Sequence, residues 1–229
     1  ISDKEITVKS FQYYRDLMTH RGPDSAGLWK NDNGNILLGH RRLSIIDLSK
    51  NADQPMVSSC GRYILVFNGE IYNYQEIKNT LIESGFKFFS SSDSEVIINA
   101  FKYWGEECIN YFNGMFAFAI LDIGDSKNET SLFFCRDRYG KKPLYYFHNK
   151  NTFVFASELK SIPKQFRGEI NYNALNCYLG LGYVPGSASI LNNVYKLPAG
   201  YKGRFYLNSG ELNLSSWWSL PKFNLQNRI

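Results

Sequence analysis

Apolar runs in the middle of the chain predict a strand-rich structure. Five of them have the length and the aromatic or β-branched content of strands; they cover residues 62–67, 115–123, 131–137, 144–149 and 152–157. Short polar turns separate several of these runs, so neighbouring strands can pair in the antiparallel sense. Residues 201–218 have the pattern of a further hairpin, which turns at Asn208-Ser209-Gly210.

Helical spacing is confined to shorter segments. Apolar residues recur at helical intervals in residues 10–20, 72–85, 96–104 and 172–179. Ser92 and Glu95 have the spacing of a capping box, which predicts that a helix starts at Ser92. Groups of adjacent strands with helices between them favour the α+β class over a parallel α/β fold.

Composition limits the class of protein. The chain has 229 residues, of which 44% are hydrophobic, which is enough for one large core. The formal net charge of +5 is spread along the chain without a basic stripe, so we expect no nucleic-acid partner. With no apolar run of membrane-spanning length and no signal-peptide pattern, we expect a cytoplasmic protein without membrane contact.

Four polar clusters lie at the ends of predicted elements. Each alone can be explained as a turn, surface charges or compensation of a helix dipole. Together they suggest a site for a small amino acid, because a guanidinium can grip a carboxylate and Asp93 can hold an ammonium group. Asn68 and the backbone of Gly69 supply the neutral donors that an oxyanion needs. The clusters are residues 21–25 (RGPDS), 40–44 (HRRLS), 68–70 (NGE) and 92–93 (SD).

The cysteines leave the nucleophile of such a site open. Cys60 precedes the strand that leads to Asn68, but its turn, SSCG, has no neighbouring His or Lys to lower the thiol pKa. Cys108, Cys135 and Cys177 fall in helical or apolar patterns, which favours structural thiols. The four cysteines contain no CxxC pair, so we expect reduced thiols and no metal site.

Eight motifs then carry a resemblance. In order along the chain, they resemble the glutamine amidotransferase domain of asparagine synthetases, the class II or N-terminal-nucleophile type. KLPAG at residues 196–200 and the two tryptophans at 217–218 resemble the end of that domain. The motifs are RGPDSAG (21–27), GHRRLSIIDL (39–48), QPM (54–56), NGEIYN (68–73), SDSEV (92–96), NGMFAFAILD (113–122), RDRYGKKPLYY (136–146) and FASELKS (155–161).

The resemblance implies a fold and a reaction. The fold is a four-layer α/β/β/α sandwich of mainly antiparallel sheets. The catalytic group is an N-terminal cysteine, whose own α-amine acts as the base and whose thiolate attacks the carboxamide of glutamine. Ammonia leaves, and water cleaves the glutamyl thioester.

The resemblance also implies roles for individual residues. The Asn68 side chain and the Gly69 N–H would form the oxyanion hole at the end of the strand. Arg42 would clamp the α-carboxylate of glutamine, and Asp93, helped by Glu70, would hold its α-ammonium group. One wall of the same pocket would be lined by Leu43, Ser44, Ile45 and Ile46.

The chain departs from the family pattern at its start, because Ile1 stands where the family opens with Cys-Gly-Ile and a first strand. The nucleophile is therefore expected outside these 229 residues. We divide the chain into an amidotransferase domain, residues 1–200, and a C-terminal hairpin and linker, residues 201–229. The linker would lead to a synthetase domain of the same polypeptide, which would bind ATP and magnesium, while the present domain needs no cofactor.

Two other functions stay open at this point. The same domain could supply ammonia to another biosynthetic acceptor, or it could be a non-catalytic scaffold without a nucleophile. A homodimer is also left open. The sequence immediately before Ile1 would separate an enzyme from a scaffold.

Overall fold

The structure of the protein is a computed structural model that describes residues 6–125 and 129–221. Within these ranges the α-helices are α1 (Val8–Asp16), α2 (Tyr74–Glu83), α3 (Asp93–Trp104) and α4 (Tyr172–Leu181). The strands are β1 (Ser25–Lys30), β2 (Leu37–Arg42), β3 (Met56–Val57), β4 (Tyr63–Ile71), β5 (Gly114–Asp122), β6 (Ser131–Arg136), β7 (Tyr145–Asn149), β8 (Thr152–Ala156), β9 (Val194–Lys196), β10 (Tyr201–Tyr206) and β11 (Leu212–Ser216). Short 3₁₀ turns cover Thr19–Arg21, Lys50–Ala52, Gly105–Asn110, Leu159–Ser161 and Lys164–Phe166.

The described strands form three antiparallel sheets. The largest has six strands in the order β11-β10-β6-β5-β4-β3. The other two are the pair β1-β2 and the three-stranded sheet β8-β7-β9. The predicted antiparallel α+β arrangement is therefore confirmed.

The six-stranded sheet is buried on both faces. Along β4, the side chains of Leu65 and Phe67 pack against α2 and α3, in one apolar cluster. Ile64 and Val66 point to the opposite face, as alternation along a strand requires, and join a second cluster. This second cluster includes Leu38 of β2 and residues of β7 and β8, so the two smaller sheets cover that face.

A further helical layer covers the outside of the smaller sheets. The ring of Phe11 in α1 lies against β2, where a Cβ added at Gly39 would be only 2.6 Å from it. Ile162 and Phe166, in and beside the short 3₁₀ turns, pack with Val194 of β9. The layers therefore follow the order helix, sheet, sheet, helix, which is the sandwich that the resemblance implies.

Strand β4 is longer than predicted. We expected the strand to end at Phe67, but it continues through Asn68, Gly69 and Glu70 to Ile71, paired with β5 throughout. The prediction of a strand end was wrong because Gly69 has no side chain to keep β5 away. A Cβ at this position would lie 2.1 Å from the carbonyl oxygen of Met115.

The prediction that Ser92 caps α3 is confirmed, but the predicted capping box with Glu95 is wrong. The Ser92 hydroxyl accepts from the N–H of Ser94 at 3.1 Å, which is the capping bond. The Glu95 carboxylate does not reach back to Ser92. It accepts instead from the N–H groups of Phe89 and Ser90, at 2.9 and 2.7 Å, and thereby fixes the loop before the helix.

The predicted C-terminal hairpin is present as β10 and β11. Because β10 also pairs with β6, the hairpin extends the six-stranded sheet. The boundary that we predicted at residue 200 therefore falls between segments that share one sheet. No helix in the described part of the chain is both long and apolar enough to cross a membrane.

Candidate active site

A cleft of about 1170 Å³ lies between the six-stranded sheet and the smaller sheets. Its walls include most of the residues that the sequence predicted for a site, contributed by β2 and the loop after it, β4 and the start of α3. Ser44 is not one of the lining residues, and its N–H donates to the Asp24 carboxylate at 2.7 Å. The predicted residues that line the cleft are Arg42, Leu43, Ile45, Ile46, Asn68, Gly69, Glu70 and Asp93.

The edge of β4 presents a row of backbone groups to this side of the sheet. The N–H of Phe67 donates to Oε1 of Gln54 at 2.6 Å, and the N–H of Ile71 donates to Asp93 at 3.1 Å. Backbone groups of every second residue in a strand point to the same edge. The N–H of Gly69, midway between these two residues, therefore points to the same edge.

The partner strand confirms this orientation of Gly69. Phe116 of β5 lies directly opposite Gly69 in the register. Its N–H donates to the Asp137 carboxylate at 3.2 Å, and its carbonyl accepts from the Asp137 N–H at 2.7 Å. Since both backbone groups of Phe116 face Asp137, the Gly69 N–H is not directed toward β5.

The Asn68 side chain adds a second donor beside the first. Alternation places it on the face of β4 that carries Val66, the face toward the cleft. Its amide nitrogen is buried and has no hydrogen-bond partner among the described residues. A buried donor without a partner costs about 1–3 kcal/mol. Asn68 and Gly69 together are suited to bind an oxygen that carries negative charge.

Asp93 provides buried negative charge near these donors. Only 5% of the residue is exposed, and burial, followed by the neighbouring Glu70 carboxylate, raises the pKa of Asp93 to about 6. The hydrogen bonds that the Asp93 carboxylate accepts from the Ile71 N–H and the Ser92 hydroxyl lower its pKa and offset part of this increase. A cationic group bound beside Asp93 would favour its ionised form, so this end of the cleft is suited to an ammonium group.

Arg42 is oriented by the loop that follows β2. Its guanidinium donates to the Ser49 carbonyl and the Asp53 carboxylate, both at 2.9 Å, and also to the Asp47 carbonyl. An arginine has five N–H donors, so these three bonds leave two for a ligand. The Asp47 carboxylate accepts from Ser49 and Ser91, and these bonds hold the pKa of Asp47 well below its usual range.

Two residues of the site, Gln54 and His40, lie in motifs that the sequence analysis named, but it gave neither a role. Gln54, which is buried, bridges Phe67 N–H and the Ser94 hydroxyl, and no local pattern announces this role. His40 donates from Nε2 to the Phe67 carbonyl at 2.9 Å. Strand alternation could have indicated His40, since Leu38 on the same face is buried.

His40 is neutral in the folded protein. Burial lowers its pKa to about 4. Because the Phe67 carbonyl can only accept, Nε2 carries the proton and Nδ1 is an acceptor. That Nδ1 is buried and has no partner in the described ranges, so it can accept a hydrogen bond from a bound group.

None of the described cysteines lines the cleft. Cys60 lies before the other end of β4, and the five residue steps from Tyr63 to Asn68 alone span roughly 17 Å at the rise of a strand. Cys108 and Cys135 are buried in the core beside α3, where burial raises the pKa of both thiols. The described lining of the cleft therefore offers buried hydrogen-bond donors and charged groups, but no thiol.

Comparison with known proteins identifies the family. A family model described as a glutamine amidotransferase domain matches residues 2–218. The chain belongs to this family. Its match covers nearly all of the sequence, including both strands of the C-terminal hairpin.

Relatives in the family are longer proteins. A putative glutamine-hydrolysing asparagine synthetase of Methanocaldococcus jannaschii is 36% identical over 96% of this chain and 45% of its own length. Glutamine-hydrolysing asparagine synthetase 1 of Bacillus subtilis is 37% identical over 87% of the chain and 30% of its own length. The chain thus spans less than half the length of these curated relatives.

Solved structures agree on the fold of the glutamine amidotransferase domain. The glutamine phosphoribosylpyrophosphate amidotransferase of B. subtilis superposes with a TM-score of 0.61 at 19% identity, covering 91% of this chain and 46% of that one. A second structure, described as the allosteric regulatory enzyme of purine biosynthesis, gives 0.62 at 17% identity, covering 92% and 46%. At such identities the likeness establishes the fold alone.

Proposed function

We propose that this amidotransferase domain hydrolyses glutamine to glutamate and ammonia. The observation that carries the proposal is the pair of donors on β4, the unpartnered Asn68 amide and the outward Gly69 N–H. Glutamine would lie in the cleft with its side-chain carbonyl oxygen at these donors. Its α-ammonium group would approach Asp93 and Glu70, and its α-carboxylate would take the two remaining donors of Arg42.

The reaction follows from this placement. A cysteine thiolate forms a bond to the amide carbon, and the carbonyl electrons move to the oxygen, where Asn68 and Gly69 stabilise the charge. As the carbonyl re-forms, the carbon–nitrogen bond breaks, and the nitrogen leaves as ammonia with the proton that the α-amine of the cysteine took from the thiol. Water then adds to the thioester and releases glutamate and the thiol.

We propose that the thiol belongs to a cysteine outside the described residues. The cleft volume of about 1170 Å³ is larger than the roughly 300–1,000 Å³ of most small-molecule pockets. It can therefore hold both an amino acid and the segment that carries the nucleophile. His40 Nδ1, an acceptor without a described partner, is available to orient a donor of that segment.

We propose that the ammonia passes to an ATP- and magnesium-dependent domain of the asparagine-synthetase type. The names of the two relatives described above support this acceptor, and their greater length supports a second domain. We also place the enzyme in the cytoplasm, since the four cysteines are free thiols, as is usual in a reducing compartment.

The test is glutamate release by the full-length protein that contains this chain. Incubation with glutamine should release glutamate and ammonia in equal amounts, and alkylation of the nucleophilic thiol should stop both. Mass spectrometry of the alkylated protein should locate the label outside residues 6–221. Release that stops when only Cys60 is labelled would overturn the assignment of the thiol, and absence of release from the unlabelled protein would overturn the proposed function.

A further inference from the structure

One segment of the sequence stands apart in its charge. Residues 170–195 contain no Asp, Glu, Lys, Arg or His, although charged residues make up 21% of the whole chain. At that frequency, a stretch of this length would ordinarily carry several charges. The segment contains α4, the loop after it and most of β9.

The same segment exposes large apolar side chains. Among the residues of α4, only Ala174 is buried. The exposed side chains near it form what we call the α4 patch, which is Ile170, Tyr172, Tyr178, Leu179, Leu181 and Tyr183, with exposed fractions from 49% to 74%. Aromatic enrichment and depletion of charge are the features that distinguish the cores of protein interfaces from other surface.

The end of the C-terminal hairpin is linked, through Gly200 and β9, to the loop that follows α4. Lys196 in β9 is tied to the loop after α4, since its Nζ donates to the Val184 carbonyl and its N–H to that of Ser187, both at 2.7 Å. Four residues later, the Gly200 carbonyl accepts from the N–H groups of Trp217 and Trp218. Four residues of chain span at most about 14 Å, so Gly200, to which Trp218 is bonded, lies no farther than that from Lys196.

We propose that the α4 patch is the docking surface for the remainder of the same polypeptide, the domain that would receive the ammonia. This inference rests on the proposed function for its partner. The relatives described above, of whose length the chain covers 45% and 30%, have ample sequence for such a domain. A domain that is joined to this chain in the same polypeptide is present at the α4 patch at a high effective concentration. It can therefore cover this uncharged, tyrosine-rich surface without a second molecule.

Hydroxyl-radical footprinting of the full-length protein tests this proposal. Tyr172, Tyr178 and Tyr183 should be labelled several-fold more slowly than the reference residues Tyr13 and Tyr111. These tyrosines are similarly exposed, at 72%, 52% and 60% against 62% and 52%. Labelling of the patch at the rate of the references would overturn the proposal.

A pair of matched variants tests whether the protection of the tyrosines depends on docking at the α4 patch. Leu179→Glu places a charge in the patch and should raise the labelling of its tyrosines to the reference rate. Ile82→Glu, at an exposed position of α2, should leave the labelling unchanged. Protection that disappears on dilution, with a dimer seen by light scattering, would assign the cover to a second copy and overturn the proposal.

Glutamate release separates this inference from the proposed function. If glutamine is not hydrolysed but the tyrosines are protected, only the proposed function fails. If glutamine is hydrolysed and the tyrosines are labelled at the reference rate, only the docking surface fails.

Discussion

The N–H of Ile71 donates to the carboxylate of Asp93 across 3.1 Å, and this bond joins the end of β4 to the first residue of α3. The bond places the Asp93 carboxylate, whose pKa is raised, at one end of the row of β4 N–H groups that includes the N–H of Gly69. This end of the site is thus built on two regular elements, β4 and α3, which hold their side chains more rigidly than loops do.

Stability should depend on pH through Asp93. Its pKa is about 6 in the folded protein, against an ordinary value of 3.8. Below pH 3.8 the Asp93 carboxyl is protonated in both the folded and the unfolded protein, so burial of this neutral group adds no electrostatic cost. As the pH rises toward 6 the unfolded state ionises first, and the folded state loses about 3 kcal/mol relative to it.

The difference in unfolding free energy between wild type and Asp93→Asn should therefore fall by about 3 kcal/mol between pH 3.5 and pH 7.5. Urea titrations at the two pH values measure it. Asp32→Asn, which removes an exposed carboxylate from the β1–β2 turn, is the control for charge alone. A difference for Asp93→Asn that stays constant with pH would show that the buried carboxyl does not titrate as described.

Affinity for glutamine should depend on pH in the opposite direction. An ammonium group binds the ionised carboxylate, so the KM for glutamine should decrease as the pH rises through about 6. Initial rates of glutamate release between pH 5 and 8 give the profile. In Asp93→Asn this decrease should be lost and KM should be high throughout, whereas an unchanged profile would remove Asp93 from the ammonium site.

The sequence predicted most of the strands and the cap of α3, because apolar runs and the Ser92 cap are local signals, whereas the layered sandwich was implied by the family resemblance. It did not predict that β4 runs through Gly69, because the close approach of Met115 comes from another strand. For the same reason it missed Gln54, whose partner, the Phe67 N–H, is thirteen positions away. The resemblance supplied the site residues, and the structure brings all but Ser44 to one cleft.

Arg42→Ala should act mainly on KM. Charged hydrogen bonds contribute about 1.5–3 kcal/mol, so we expect KM to rise roughly 10-fold or more, with a smaller change in kcat. Arg42→Lys should recover little, because an ammonium cannot reproduce the planar donors. Asp53→Asn keeps the guanidinium and should leave KM nearer to wild type. A fall in kcat alone for Arg42→Ala would contradict binding of the carboxylate.

Gly69→Ala should destabilise the protein and abolish glutamate release. The added methyl group would lie 2.1 Å from the Met115 carbonyl, so β4 and β5 would have to separate at Asn68 and Gly69, the proposed oxyanion donors. Gly180→Ala in α4 meets open space and should instead stabilise by about 0.5–1 kcal/mol. Thermal unfolding compares the two variants. A stable Gly69→Ala variant with full activity would contradict the close approach.

The most direct test of the site is the kcat of Asn68→Ala in the full-length protein. One oxyanion donor contributes about 2.7 kcal/mol or more to the transition state, so kcat should fall by roughly 10² or more while KM changes little. Asn213→Ala, at an exposed position of β11, is the matched control and should keep the wild-type kcat. A folded Asn68→Ala variant that releases glutamate at the wild-type kcat would contradict the assignment of the oxyanion hole.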